Sequence, residues 1–351
     1  MAKKKIYVYI GRFQPFHNAH AHVIDRAAKI ADRIVILIGS AFQSRTIKNP
    51  FTYEERAGVV NQHLDSLNID YRILPLRDQP YNDGKWIQTV QEQVANSIQD
   101  FGDSIEDCEI FITGSDRDSS TWYLNAFPQW QLDLIVPVPQ GRDLNATGIR
   151  KALFGENTLT TVADDLPFIT MQFLTSFLSS EWYSRLCKQY KIIKDGKDAW
   201  ANSPYPVIFQ TVDAVVIQSG HVLVVERRAE PGSGLWALPG GFLNPDEWMR
   251  DAVIRELEEE TKIKLPTATL KNAIRAREIF DDPNRSLRGR TITVAHLIRL
   301  DDTKPLPKVR GSDDAARAFW LPLHEARKNS EMWFEDHLSI LDWGVSVKDR
   351  T

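Results

Sequence analysis

The sequence predicts an α/β chain in two parts: a doubly wound parallel sheet over the first half, then a mixed α+β unit. Three observations lead there. Short apolar runs alternate with helical patterns from the N-terminus to about residue 138. Composition turns polar and proline-containing around residues 187–206, and strands joined by a tight turn begin immediately afterwards. A chain of 351 residues can bury two separate cores.

Residues 6–10, 33–38, 71–76, 109–113 and 132–138 are apolar runs of strand length. Residues 19–31, 53–67, 85–98 and 119–127 lie between them and have helical, amphipathic character. Strands alternating with helices imply a parallel sheet covered on both faces, with ligands at the carboxyl ends of the strands. An apolar helix over 164–186 closes a first domain, residues 1–186. Residues 187–206, ending in Ser203-Pro204-Tyr205-Pro206, read as a linker. The second domain, 207–351, begins with strands over 208–217 and 221–227 turned at Ser219-Gly220. Further strands are expected at 274–280, 291–299 and 316–321, with helices at 246–260 and 324–329.

Composition narrows the function classes. The hydrophobic and charged fractions, 42% and 26%, are those of a globular protein, and the formal charge of −4 offers no basic field for nucleic acid or an anionic membrane. Two distant cysteines, Cys108 and Cys187, suit a reducing cytoplasm. The apolar run after Met-Ala-Lys-Lys-Lys is short and broken by Gly11-Arg12, which fits a strand and not a signal peptide. No stretch reaches the roughly 20 apolar residues of a membrane span.

Chemistry concentrates first at residues 240–263. Gly240-Gly241 leads through Glu247 into a helix carrying Arg255, Glu256, Glu259 and Glu260. At 100° per residue the three glutamates from 256 to 260 share an arc of about 100°, while Val253, Ile254 and Leu257 can face a core. Like charges so close weaken a helix unless a hard divalent cation uses them as oxygen ligands. A solvated acidic face is the alternative, but it would not require glycines, Glu247 and Arg255 at fixed offsets. Lys262 follows where a helix end often needs positive φ, at a cost on the order of 1 kcal/mol for a residue other than glycine.

The second concentration follows the first strand: Gly11-Arg12-Phe13-Gln14-Pro15-Phe16-His17-Asn18-Ala19-His20. The next helix should start near Asn18, with His17 and His20 on one side of its N-terminus. Helix-end N–H groups and the dipole favour a phosphate there. The pair taken alone fits capping residues as well as phosphate donors. No Walker-type loop is present, which argues against a kinase.

The spacing Gly241, Glu247, Arg255, Glu256, Glu259 and Glu260 resembles the Nudix box, departing from it at Lys262, where that family has glycine. Gly11, Phe13, Pro15, His17 and His20 resemble the first signature of nucleotidyltransferases with a Rossmann-like fold. Asn145-Ala146-Thr147-Gly148-Ile149-Arg150 resembles the second at Thr147 and Arg150, with the usual serine lost or shifted. Residues 39–44 and 49–56 are similar to archaeal-type nicotinamide mononucleotide (NMN) adenylyltransferases. Residues 280–291 resemble Nudix proteins that act on or sense ADP-ribose. The whole order resembles bacterial bifunctional proteins that fuse an NMN adenylyltransferase to a Nudix ADP-ribose pyrophosphatase.

That resemblance implies ATP, NMN and ADP-ribose as substrates. It implies ATP contacts at Gly11, Phe13, His17, His20, Thr147 and Arg150, and NMN contacts at Arg12, Thr52, Arg56 and Trp86. Glu256, Glu259 and Glu260 would hold Mg2+, with Mn2+ as a substitute; which glutamate is the base stays open. Trp86 could stack on the pyridinium or simply pack on the sheet, and Arg56 could meet phosphate or pair with Glu54 or Glu55. Gly114-Ser115-Asp116-Arg117 could contact the adenine nucleotide or be only a turn. A non-catalytic, ADP-ribose-sensing Nudix unit is the competing reading, disfavoured by the intact glutamates. Transfer to another phosphate acceptor is disfavoured by the 49–56 and Trp86 matches.

Overall fold

The computed structural model describes residues 3–115, 119–135, 144–156 and 158–348. The chain divides into two compact units, Met1–Lys188 and Gln189–Thr351. Among the described residues no helix is long and apolar enough to cross a membrane.

In the first unit β1 (Lys4–Gly11), β2 (Arg33–Ile38), β3 (Asp70–Pro75), β4 (Cys108–Gly114) and β5 (Gln131–Leu134) form one sheet in the order β3-β2-β1-β4-β5. Every pairing is parallel, with Ile6 opposite Arg33 and Lys4 opposite Cys108. Helices α1 (Asn18–Ala28), α2 (Tyr53–Asp65) and α3 (Asp83–Asp100) are the crossovers. Both faces of the sheet are buried, which is why its strands read as unbroken apolar runs. Tyr7 and Tyr9 of β1 share one core with Ile24 of α1 and Val60 of α2. Ile6, Val8 and Ile10 share the other with Val90 and Val94 of α3. Strand order reverses at β1, so a ligand crevice belongs at its carboxyl end.

Three expectations for this unit change. Residues 119–127 form 3-10 turns over Ser119–Asn125 and not an α-helix: Pro128 stops the segment, and the Tyr123 hydroxyl anchors it by donating to the Ile10 carbonyl at 3.0 Å. The helix expected at 164–186 is broken into α5 (Phe168–Phe177) and α6 (Glu181–Ala199), after α4 (Ala146–Lys151). α6 also runs through most of the expected linker, because Leu186, Gln189 and Ile193 give that stretch a buried face. The end of the strand expected at 132–138 lies outside the described residues.

The second unit is built on β6 (Phe209–Gln218), β7 (His221–Arg227), β10 (Ile274–Phe280), β11 (Thr291–Arg299) and β12 (Ala315–Pro322), ordered β10-β11-β6-β7-β12. The short strands β8 (Trp236–Ala237) and β9 (Gly240–Phe242) pair with β7 and β6. β11 and β6 run parallel and their neighbours antiparallel. Ser219 and Gly220 have φ of 48° and 72°, the double positive φ of a tight hairpin turn. α7 (Met249–Thr261) packs Val253, Ile254 and Leu257 on one face of the sheet, and α10 (His337–Ser346) packs Ile340 and Leu341 on the other. α9 (Leu323–Lys328) was expected. The six-residue α8 (Thr267–Asn272) and α10 were not, since α8 is too short for a periodic signal and α10 has too few polar residues for one.

Candidate active sites

The first site lies at the end of β1. His17, not Asn18, is the cap of α1; Asn18 is its first helical residue, and its Nδ2 donates to the Asp164 carbonyl at 2.8 Å. The His17 main-chain N–H donates to His20 Nδ1 at 3.2 Å, which puts the proton of a neutral His20 ring on Nε2. The two imidazoles stack with centroids 3.6 Å apart, and Phe13 meets His20 edge-on at 4.8 Å. Phe13 is itself buried, so any nucleotide contact from it is through the backbone. A Cβ on Gly11 would lie 2.8 Å from Phe13 Cζ, so that glycine is what lets the ring pack beneath the loop.

Arg150 brings the second signature to the first. Its Nη1 donates to the Gln14 carbonyl at 2.7 Å and its Nη2 to Thr147 Oγ1 at 3.1 Å. Asn145 occupies the cap of α4, its side chain accepting the Gly148 N–H at 2.9 Å, so an amide does there what the missing serine would do. Burial, and then the charge of Arg12, bring Arg150 down to about 10. A buried guanidinium near a second cation favours a bound anion.

Arg56 behaves otherwise. It is 2% exposed, and its Nη1 donates to the carbonyls of Arg12 and Gly39 at 2.7 and 2.6 Å. Its Nη2 donates to the Ser40 carbonyl at 3.1 Å and its Nε to the Thr52 carbonyl at 3.0 Å. It therefore joins the loops after β1 and β2, and its hydrogen bonds go to these carbonyls and not to Glu54 or Glu55. Glu55 is gripped by Arg45 at 2.7 and 2.8 Å, and the Thr52 hydroxyl accepts the Glu55 N–H at 3.3 Å as the cap of α2. Trp86 packs against Trp122 and Tyr123, at 5.5 and 6.0 Å between centroids, so its setting is an aromatic cluster at the start of α3.

Two residues escaped sequence reasoning. The Gln14 side chain clamps Phe51, donating to its carbonyl at 2.9 Å and accepting its N–H at 3.0 Å. Asp78 accepts both the N–H and the hydroxyl of Ser40, at 3.0 and 2.6 Å. Only their position just beyond strand ends could have flagged them. Asp116 and Arg117 lie outside the described residues.

The second site is the turn from β9 into α7. A Cβ on Gly240 would come within 2.1 Å of the Val212 carbonyl, and one on Gly241 within 2.6 Å of Glu256 Oε1. Gly240 thus lets β9 close on β6, and Gly241 lets the Glu256 carboxylate approach the strand. Arg255 grips Glu247 from Nε and Nη2, at 2.8 and 2.9 Å, and its Nη1 reaches Glu256 and Glu259 at 2.9 Å each. Hydrogen bonding from Arg255 holds Glu247 below the usual carboxylate range. Glu260 accepts the Gly240 N–H at 3.1 Å, yet burial pushes it up to about 8, and burial raises Glu256 as well. The guanidinium supplies the positive charge between Glu256 and Glu259. Among the described residues no three His, Cys, Asp or Glu side chains are gathered tightly enough to hold an ion as they stand. Lys262 has φ 45° and ψ 36°, the left-handed cap that its position demanded.

Glu260 faces a small polar cavity of about 50 Å³, shared with Asp213, Arg227, Arg285, Arg288 and His337. Arg285 is not an exposed loop residue: it is locked onto Asp336 at 2.8 and 2.9 Å. His337 Nδ1 accepts the Leu238 N–H at 3.0 Å, and burial drops its pKa to about 3, so the ring is neutral.

Fold and sites define a two-domain nucleotide enzyme, a nucleotidyltransferase joined to a Nudix domain. The chain matches the cytidylyltransferase-like family over residues 8–134 and the NUDIX domain over residues 208–344. It is 32% identical over 195 residues to a nicotinamide/nicotinic acid mononucleotide adenylyltransferase of Acinetobacter baylyi, covering 54% of this chain and 96% of that protein. It is 43% identical over 83 residues to a nicotinamide-nucleotide adenylyltransferase of Methanoculleus marisnigri, about half (49%) of that protein's length. Crystal structures of a bifunctional NMN adenylyltransferase/ADP-ribose pyrophosphatase from Francisella tularensis superpose with TM-scores of 0.88 and 0.90, at 34% and 35% identity. Each covers 97% of this chain and 98% of the other, and one was determined with AMP and a manganese ion. The chain belongs to the family of bifunctional NMN adenylyltransferase/ADP-ribose pyrophosphatases.

Proposed function

We propose that the first unit transfers AMP from ATP to NMN, giving NAD and pyrophosphate, and that the second hydrolyses ADP-ribose to AMP and ribose 5-phosphate. The observation that carries the first reading is the stacked His17–His20 pair at the start of α1, with Arg150 anchored on the loop that precedes it. The NMN 5′-phosphate is already a competent nucleophile, so it attacks the α-phosphorus of ATP in line without a strong base, and pyrophosphate leaves. His17 and His20 donate to the α-phosphate as its charge grows, while Thr147, Arg150 and Arg12 hold the phosphates. Thr52 and Arg56 shape the NMN side of the pocket through the cap of α2 and the loop carbonyls. Trp86 presents its indole to the pyridinium from the edge of its aromatic cluster.

The second reading rests on the convergence of Gly241 and Arg255 upon the glutamates. The donor set there is all oxygen, which suits a hard divalent cation. Bound at Glu256, Glu259 and Glu260, Mg2+ (or Mn2+ in its place) would polarise the diphosphate and lower the pKa of the attacking water. Arg255 and Glu247 orient these glutamates, and Arg288, which borders the same cavity as Glu260, would meet the diphosphate. Free Cys108 and Cys187 suit action in the reducing cytoplasm.

The test uses the intact chain with magnesium, ATP and NMN, and separately with ADP-ribose, followed by chromatography. NAD should appear in the first mixture and AMP in the second. His17→Ala should remove only the first product and Glu259→Gln only the second. Loss of both products in either variant would refute two independent sites.

A further inference from the structure

The segment that reads as a linker has an unexplained surface. After α6 the chain runs through Trp200 and Ser203-Pro204-Tyr205-Pro206 before entering β6 at Phe209. Trp200 is 55% exposed and Tyr205 78%. Large aromatics so open to water in a segment held by two prolines are not explained by core packing.

These residues line a cleft of about 400 Å³ together with Phe209, Arg288 and Gly289. Trp200 meets Phe209 edge-on at 5.9 Å, and Phe209 meets Phe242 in the same way at 5.8 Å. Phe242 immediately follows Gly241 of the Nudix turn. Arg288 borders both this cleft and the small polar cavity that holds Glu260. Its guanidinium lies 5.8 Å from the Phe242 ring and 5.7 Å from Phe334. The two cavities therefore meet at a cation beside the glutamates. One compartment is about 50 Å³ and lined by Thr211, Arg227 and Arg285 beside Arg288, which suits a phosphate. The other is eight times larger and aromatic, which suits a flat heterocycle. A diphosphate held at Arg288 would send its base into the aromatic compartment.

We propose that Trp200 and Tyr205 form a purine-binding wall of the Nudix site, so that the segment leading into β6 selects the base of the hydrolysed substrate. This rests on the hydrolase reading for its substrate, but its geometry is independent of turnover. Stacking on an aromatic face is worth enough per base to change affinity by roughly tenfold or more.

Two measurements test it on the full chain. In steady-state hydrolysis, Trp200→Ala and Tyr205→Ala should raise KM for ADP-ribose about tenfold with kcat within threefold. Trp200→Phe should restore most of the loss, and hydrolysis of CDP-ribose, which stacks less surface, should shift much less. KM for ADP-ribose unchanged in both alanine variants would overturn the proposal. Photolabelling with 8-azido-ADP-ribose in EDTA gives a readout that needs no hydrolysis. Label on the peptide containing residues 197–209 supports the wall even if AMP is never produced; label only elsewhere in the second unit overturns it. A parent chain that labels at this peptide but does not turn over would refute the hydrolase reading alone.

Discussion

Arg255 and Glu247 form a two-point contact, Nε to Oε1 at 2.8 Å and Nη2 to Oε2 at 2.9 Å, across the turn that precedes α7. The remaining nitrogen, Nη1, reaches Glu256 and Glu259. One planar fork thus sets the orientation of three carboxylates. Lysine has a single point of charge and cannot do this. Arg255→Lys should lower kcat/KM for ADP-ribose at least tenfold and leave NAD formation unchanged, measured on the same preparation. Equal loss of both activities would show that the contact is merely structural.

Arg56 should be felt in stability before it is felt in affinity. Arg56→Met removes four donors from four main-chain carbonyls, and each buried group left unpaired costs about 1–3 kcal/mol. The first unit should unfold at markedly lower denaturant concentration in that variant. A folded, normally stable variant whose only defect is a raised KM for NMN would restore Arg56 as a ligand contact.

Lys262 sits at φ 45° where glycine is at ease. Lys262→Gly should stabilise the second unit by about 1 kcal/mol, a rise of about 2–8 °C in its melting temperature. A drop would mean that the lysine side chain makes a compensating contact there.

His337 carries a pH signature. Its folded pKa of about 3 lies below the usual histidine value because burial opposes its charging. Between roughly pH 6.5 and 3 the unfolded chain therefore binds the extra proton, and stability falls as pH falls through that window. The slope it adds is about 1.4 kcal/mol per pH unit. Chemical denaturation of the second unit between pH 7 and 5 should show this loss. In His337→Gln, which keeps an acceptor for the Leu238 N–H, the dependence should flatten; an unchanged slope would place the titrating group elsewhere.

Much of the molecule is legible in one dimension. The β1–β5 runs, the Ser219-Gly220 hairpin and the buried face of α7 follow from periodicity and turn chemistry, because each is decided by neighbours a few residues apart. Four of the six residues from Gly241 to Glu260 lie on α7, where helix geometry converts their spacing into proximity for the same reason. Other features lacked a local signal. The break at Ser179-Ser180, the helical continuation of α6 and the burial of α10 depend on surfaces supplied by distant segments.

The sequence by itself determined the two domain types and the order of the strand segments along the chain, and it singled out the residues of both candidate sites, since these are written in local period and motif spacing. Only the tertiary structure decided what those residues do once packed. It buried Arg56, because four carbonyls from two loops converge on it. It also set Trp200 and Tyr205 of an apparent linker against the cleft shared with Arg288. Both outcomes are long-range: they arise where chain segments far apart in sequence exclude water together, and no pattern within either segment encodes the partner it will meet.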